Sequence, residues 1–592
     1  AGGEGARPLS IEAGLAWLGV RRMLLAIHDA SFPSDADEDT GRGSPATHAA
    51  ARLMTYARGL GFTGIQLGPQ GQTSRDNASP YDATIFSRHI GNVALGSLRA
   101  GGAFERLVDD AAVARAVLDP DAGTGGAVQH RRAHDVQHAL IEAAYAGLDG
   151  RPDLRERLGA FRAAHGGWLD RDALHAALCV EHGGAGSQHW PARDRDLWLA
   201  DDEAARAARA ARMAEHARAI ERYAFGQLLV HEEHARVRRD AAQHGLALYG
   251  DLQVGYSDAD RWAYAAVFLP GYRMGAPPSR TNPDGQPWGY PVLDPAQYPG
   301  RAGDLIRARA DKAFAEYDGV RIDHPHGVVC PWVYDGERAD AQRAVCEGAR
   351  LFEAPDLPDH PALARFAIAR ADQLDRAQPR HGDAWVRALE PAQVERYATL
   401  VDMIAACARR RGRDVGDLSC EVLSTMPFPL GAVLARHGLG RWRVTQKAQL
   451  DDPRDVYRSE NAERPDWVML GNHDTPPIFA VVRGWQPAQR EAWARHLAAR
   501  LALARPERLA VPGFMASAML AELFVSRAEN VSIFFADLFG HEERFNVPGL
   551  VDAANWSLRL PPDFAELHRD RLARGAALDI ALAVDLALAA AR

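Results

Sequence analysis

Arg321 and Asp323 stand two residues apart in the stretch YDGVRIDHPHGVV, numbered 317–329, at the end of a short apolar run. His324 and His326 follow at once. In a strand, alternate residues share a face, so the guanidinium and the carboxylate point the same way. A cation beside a carboxylate keeps it ionised, the state that a nucleophile or an electrostatic stabiliser needs. Taken alone, an Arg-x-Asp is more often a structural ion pair. The rest of the chain shifts that balance.

Four other acids stand where apolar runs end: Asp251 after LALYG, Glu421 after GDLSC, Asp474 after VMLGNH and Asp537 after IFFA. If the runs are parallel strands of one barrel, all five acids face one rim, the rim that carries active sites in such barrels. Two chemistries use a rim of carboxylates. Metal-assisted catalysis uses them as hard oxygen ligands. Glycoside cleavage uses one to attack or stabilise and a second to donate a proton. Tyr81, Trp262, Trp288 and Trp332 favour the second, because flat apolar rings suit the C–H faces of sugars. Each Trp is also a candidate for plain core filling.

The elements that must hold these residues are legible as eight short apolar runs, near Met23, Ile65, Tyr249, Ile322, Leu418, Val444, Met469 and Phe534. Most are separated by Ala-, Arg- and Leu-rich stretches with helical spacing. Alternation of strand and helix predicts a parallel sheet, and eight strands predict a closed (β/α)8 TIM barrel, with an open doubly wound sheet as the alternative. Strand signals vanish over 101–215, which reads as an inserted, mainly helical subdomain. Residues 1–100 and 216–592 then form the two parts of the catalytic barrel, with a substrate loop near 271–292. DAGTGGAVQ, around Gly123, lacks the preceding strand of a phosphate loop and reads as a plain loop. HEEH, at 231–234, lacks the spacing of a zinc-protease helix and reads as a solvated helix face.

Bulk properties narrow the function further. The 592 residues carry a formal charge of −9, and the arginines are scattered among acids, which argues against nucleic acid or an anionic membrane as partner. Five cysteines, with no C-x-x-C pair, argue against a disulfide framework or a structural zinc site. The first ten residues lack the pattern of a secretory signal, and the apolar C-terminal stretch is interrupted by Asp579 and Asp585. A soluble cytoplasmic protein closed by an amphipathic helix is expected.

Seven segments, in order, resemble the 4-alpha-glucanotransferases of glycoside hydrolase family 77, the amylomaltases or disproportionating enzymes. They are GFTGIQLGPQG with Ser79-Pro80-Tyr81, YGDLQVGYSDADRW, GAPPSRTNPDGQPWGYP, VRIDHPHG, CEVLSTMPFPLGAVLARHGLGRWRVTQ, LGNHDTPP and DLFGHEERFNVPGLVDAANWSLRL. The resemblance implies that Asp323 is the nucleophile, Glu421 the general acid/base, and Asp474 a carboxylate that grips sugar hydroxyls as the ring flattens. It implies that Arg321 keeps Asp323 ionised and in place, and that His324 and His473 bond hydroxyls. Tyr81, Asp251, Gln286 and Trp288 would bind an α-1,4-glucan or maltooligosaccharide substrate. It implies no cofactor and no metal. The loop GAPPSRTNPDGQPWG is the candidate lid that excludes water, so that a sugar intercepts the intermediate.

Three departures from the family stand out. Ser279-Arg280 replaces Asp-Tyr, which would let Arg280 recognise an anionic or unusually substituted glycan. Thr475-Pro476 replaces Asn-Asp after His473-Asp474. His324-Pro325-His326 follows the nucleophile where the family has an aromatic residue and an arginine, and Cys420-Glu421-Val422 stands for Ala-Glu-Asp. A hydrolase on the same machinery and a non-catalytic glucan-binding protein are the alternatives.

Overall fold

A computed structural model describes residues 10–119, 126–280, 282–550 and 552–592; the glycine-rich loop around Gly123 lies outside them. Twelve strands are present among the described residues: β1 (Arg22–Ala26), β2 (Gly64–Gln66), β3 (Ala247–Leu252), β4 (Phe268–Ala276), β5 (Gln286–Leu293), β6 (Gly319–Ile322), β7 (Trp332–Asp335), β8 (Ala349–Arg350), β9 (Leu418–Cys420), β10 (Trp442–Val444), β11 (Trp467–Met469) and β12 (Asn530–Phe534). Eight of them form one parallel sheet in the order β10-β11-β12-β1-β2-β3-β6-β9. Its two edges meet where Trp442 N–H donates to Val422 O at 3.2 Å and Trp442 Nε1 donates to Ser419 Oγ at 2.7 Å. The result is a (β/α)8 barrel, and its eight strands are the eight apolar runs read from the sequence.

The barrel is filled, as it must be to exclude water from its inner carboxylates. Leu24, Tyr249, Trp442, Val444, Trp467 and Met469 pack together inside it. Gly319 opens β6 because nothing larger fits: a Cβ there would stand 2.2 Å from the Tyr249 ring and 2.8 Å from Asp417 O.

Between β2 and β3 the described residues form helices and loops but no strand, and the long helices are His130–Ala146, Pro152–Glu181, Glu203–Glu215 and Ala217–Gln243. Trp262 is buried against this layer with Trp190 and Trp198, and Trp332 is buried in the second sheet, so both fill core and neither reaches the rim acids. HEEH is not a solvated face. His231 stacks on Trp168, His234 hydrogen-bonds Glu316 O at 3.0 Å, and Glu233 pairs with Arg236 inside the helix layer.

β4, β5, β7 and β8 form a separate antiparallel sheet, ordered β5-β4-β7-β8, beside the barrel mouth. The arms of the expected irregular loop are therefore strands, and between them the described residues 277–280 and 282–285 form no strand. The C-terminal helix Ile580–Ala591 buries Ile580, Ala583, Val584, Ala587 and Leu588, packing on helices Ile11–Trp17 and Pro512–Phe524. No helix among the described residues is long and apolar enough to cross a membrane, and all five cysteines are free.

Candidate active site

Strand register creates the centre of the site. β3 and β6 pair in parallel with Asp251 opposite Arg321, and β6 and β9 pair with Arg321 opposite Ser419. Arg321 therefore points into the barrel one layer below the rim, where Asp251, Asp323 and Glu421 converge on it. Its Nη1 donates to Asp251 Oδ2 at 2.5 Å and to the Tyr81 hydroxyl at 3.1 Å. Its Nη2 donates to both Asp323 Oδ1, at 2.8 Å, and Glu421 Oε2, at 2.6 Å. Trp442 and Tyr81 flank the guanidinium plane, with ring centroids 4.9 and 5.4 Å from Cζ. Only an arginine offers this fork, since a lysine is a single point charge.

One cation faces three buried acids, so all three cannot ionise together. Burial pushes the pKa of each upward, and the partners decide which keeps a proton. For Asp323, burial is overcome by Arg321, by a hydrogen bond from Glu421 and by Val254 N–H at 2.9 Å, and its pKa falls below the ordinary carboxylate value. For Glu421, burial outweighs Arg321, the adjoining Asp323 charge adds to it, and its pKa rises well above the ordinary value. Asp251 is pushed up to about 7, first by burial. The arrangement therefore holds an ionised Asp323 against a protonated Glu421. That is the division of labour a carboxylate nucleophile and a proton donor require.

Above them lies a cleft of about 1280 Å³. Asp323, Glu421, Asp474, Tyr81, His324, His473, Gln286 and Trp288 all line it. Arg321 and Asp251 stand behind this wall, each with a side chain only 1% exposed, so they hold the carboxylates from beneath. Asp474 sits on the segment after β11, where Asn546 Nδ2 donates to its Oδ1 at 2.6 Å. Thr475, one of the departures, closes this turn by accepting from Asn472 N–H at 2.9 Å. Gln286 and Trp288 share a face of β5, and the indole N–H donates to Gln286 Oε1 at 3.1 Å. His324 adopts a left-handed backbone (φ +42°), which turns its ring edge-on to Trp288 and onto His326. Burial lowers its pKa to about 4 and that of His473 to about 3, so both rings are neutral at pH 7.

Asp537, the fifth rim acid, is not in the cleft. It is buried beneath the loop after β11 and accepts from Ile478 N–H at 2.7 Å and from Gly471 N–H. Conversely, Lys447 in the cleft and His28 behind its aromatic wall escaped the sequence reading. His28 lies just past β1 and stacks on Trp556, while Tyr81 stacks on His473 to extend the aromatic wall. Lys447 faces Asp474 and Glu421, and burial lowers its pKa. His28 and Lys447 belong to none of the quoted segments, though the position of His28 at a strand end is the signal that marked the acids.

A filled parallel barrel with a nucleophile-type carboxylate and a protonated carboxyl on one arginine has the chemistry of a glycoside-cleaving barrel. The family model described as 4-alpha-glucanotransferase matches residues 27–565, and the chain belongs to that family, glycoside hydrolase family 77. The 4-alpha-glucanotransferase of Thermus thermophilus is 24% identical over 538 residues, covering 88% of this chain and 91% of the relative. The chloroplastic/amyloplastic 4-alpha-glucanotransferase of Oryza sativa subsp. japonica is 28% identical over 304 residues. That match covers 49% of this chain and spans about half, 48%, of the rice protein. In fold, the chain is similar to the amylomaltase from Streptococcus agalactiae in complex with acarbose, with a TM-score of 0.71 at 17% identity, covering 94% of this chain and 100% of that one.

Proposed function

We propose that the protein transfers α-1,4-glucan segments between maltooligosaccharides by double displacement with retention. The observation that carries this reading is that Asp323 and Glu421 hydrogen-bond one nitrogen of Arg321, at 2.8 and 2.6 Å. An inverting pair keeps its carboxyl groups roughly 6.5–9.5 Å apart to seat a water, whereas a retaining pair sits closer. Here the two carboxyls hydrogen-bond each other, which leaves no place for that water.

In the first step Asp323 attacks the anomeric carbon as Glu421 passes its proton to the departing glycosidic oxygen. The C–O bond to the leaving chain breaks, and a glycosyl ester forms on Asp323. Asp474, aimed by Asn546, bonds ring hydroxyls as positive charge develops on the sugar. In the second step Glu421, now a carboxylate, takes the proton of an acceptor hydroxyl. The acceptor oxygen bonds to the anomeric carbon and frees Asp323. Arg321 and Asp251 act from beneath, and Tyr81, Gln286, Trp288, His324 and His473 hold the sugars. Neither a metal nor a cofactor enters either step.

We further read 101–215 as an inserted helical subdomain that lends the cleft one wall, since Gln129, His130 and Arg132 line it. The cytoplasm is the compartment we assign, in keeping with five unpaired cysteines.

The test is incubation with maltotriose and with a longer maltodextrin, following all products by chromatography, with Asp323→Asn as control. Glucose together with chains longer than the input, both absent from the control, is the expected result. Shorter products alone would make the protein a hydrolase. Binding without turnover would make it a glucan-binding protein on an enzyme scaffold.

A further inference from the structure

We propose that Arg280 latches the tip of the β4–β5 hairpin across the cleft, and that this latch sets how often a sugar, not water, takes the glycosyl group. The second half rests on the transferase reading above; the first does not.

The Arg280 guanidinium, beside the cleft-lining Ser279 and Asn282, is engaged by the protein itself. Its Nη1 donates to Asp455 Oδ2 at 2.6 Å, and its Cζ lies 5.2 Å from the centre of the Tyr457 ring. Asp455 is fully buried, with 0% side-chain exposure. Its other oxygen accepts from Tyr457 N–H at 2.9 Å, within its own loop. Arg280 is its ion-pair partner among the described residues. Opening the roof would take the cation away from a buried carboxylate, which favours the closed arrangement.

The path of the hairpin gives the latch its meaning. The hairpin leaves the barrel between β3 and β6, and Asp455 lies in the segment after β10. Around the barrel, β6 and β9 lie between those two points, and Asp323 and Glu421 stand directly after them. The latched hairpin thus spans both carboxyls, with Ala276, Pro277, Ser279 and Asn282 facing the cleft from above.

Both ends of this roof are built to move as units. At the tip, Ser279 and Asn282 exchange backbone hydrogen bonds of 2.9 and 3.2 Å, which makes the turn compact. On the barrel side, Asn461 pins the anchoring segment through Pro453 O and Asp455 O at 3.0 and 2.9 Å, and Arg443 donates to Val456 O. The Arg280–Asp455 ion pair and the Arg280–Tyr457 contact join two internally hydrogen-bonded pieces. A roof that stays down excludes water while a sugar enters along the cleft.

The experiment compares the wild type with Arg280→Met and Arg280→Lys. It reads amide hydrogen exchange over 277–286 and the partition of maltotriose between hydrolysis and transfer. In Arg280→Met, exchange at the tip should quicken by about tenfold or more while β3, β6 and β9 stay protected. The hydrolysis-to-transfer ratio should rise several-fold, and Arg280→Lys should restore most of both. Asp455→Asn, which keeps the acceptor for Tyr457 N–H, should behave like Arg280→Met and stands in if that variant folds poorly. Unchanged exchange at the tip would overturn the latch. Faster exchange with an unchanged partition would overturn its role in acceptor choice. A wild type inert on maltotriose would overturn the transferase reading and that role together, while exchange at the tip would still decide the latch itself.

Discussion

At the scale of single residues, the site depends on one proton and one cation shared among three acids. The reaction needs Asp323 ionised and Glu421 protonated. Asp323 is held below its ordinary pKa and Glu421 above it, so kcat/KM should trace a bell. The acid limb is protonation of Asp323 and the alkaline limb is loss of the Glu421 proton. In Glu421→Gln the alkaline limb should disappear, and an aryl maltoside with an acidic phenol, which leaves without a proton, should recover much of the glycosylation rate. An alkaline limb that persists in Glu421→Gln would assign it to another group. Arg321→Lys tests the cation. A lysine can hold one or two of the three carboxylates but cannot bridge them all, so kcat/KM should fall by about 10²–10³-fold. Loss confined to KM would place Arg321 in binding only.

At the scale of elements, the barrel was legible and the roof was not. All eight barrel strands were visible because each is buried and reads as a short apolar run. β4 and β5 were missed because FLPGYRMGA and QPWGYPVL carry Pro270, Gly271, Pro287, Gly289 and Pro291, residues that ordinarily argue against a strand. They are tolerated here because the hairpin is short of full pairing and its register shifts twice. The strand-end rule located Asp323 and Glu421 but misplaced Asp537, since a strand end fixes height along the barrel and not whether the side chain faces the cleft. The convergence of three acids on Arg321 depends on strand register, which single positions do not reveal.

Asp537 supplies the element-scale prediction. It joins the loop after β11 to the helix Ile478–Gly484 by accepting two backbone N–H groups. Asp537→Ala strands both donors and should cost about 2–4 kcal/mol in thermal or denaturant unfolding. Burial holds its pKa at about 7, above the ordinary value of 3.8. A carboxyl raised in the folded state contributes stability below its unfolded pKa and loses it as pH rises through the folded one. Wild type should therefore lose stability relative to Asp537→Asn between about pH 4 and pH 7. A flat difference across that range would mean that the group is ionised throughout.

At the scale of the whole molecule, stability and chemistry are separable. The C-terminal helix Ile580–Ala591 packs against helices Ile11–Trp17 and Pro512–Phe524, none of which lines the cleft. Leu588→Ala should cost about 2–5 kcal/mol of stability while leaving kcat/KM at moderate temperature unchanged. A matching loss of activity in the folded variant would show that this contact bears on the site.

The cleft has one more property that follows from its wall. His130 meets Trp556 O at 3.1 Å, and Val128 N–H donates to Ser557 O at 2.8 Å, contacts between positions more than 400 apart in the chain. Both segments line the cleft. On a ribosome, the first segment emerges long before the second and must wait for it. A nascent chain can therefore acquire much of its barrel while still lacking a complete place to lay a glucan. The same order should appear on dilution from denaturant: fluorescence of the buried tryptophans recovers first, and glucan binding returns in a later, slower phase.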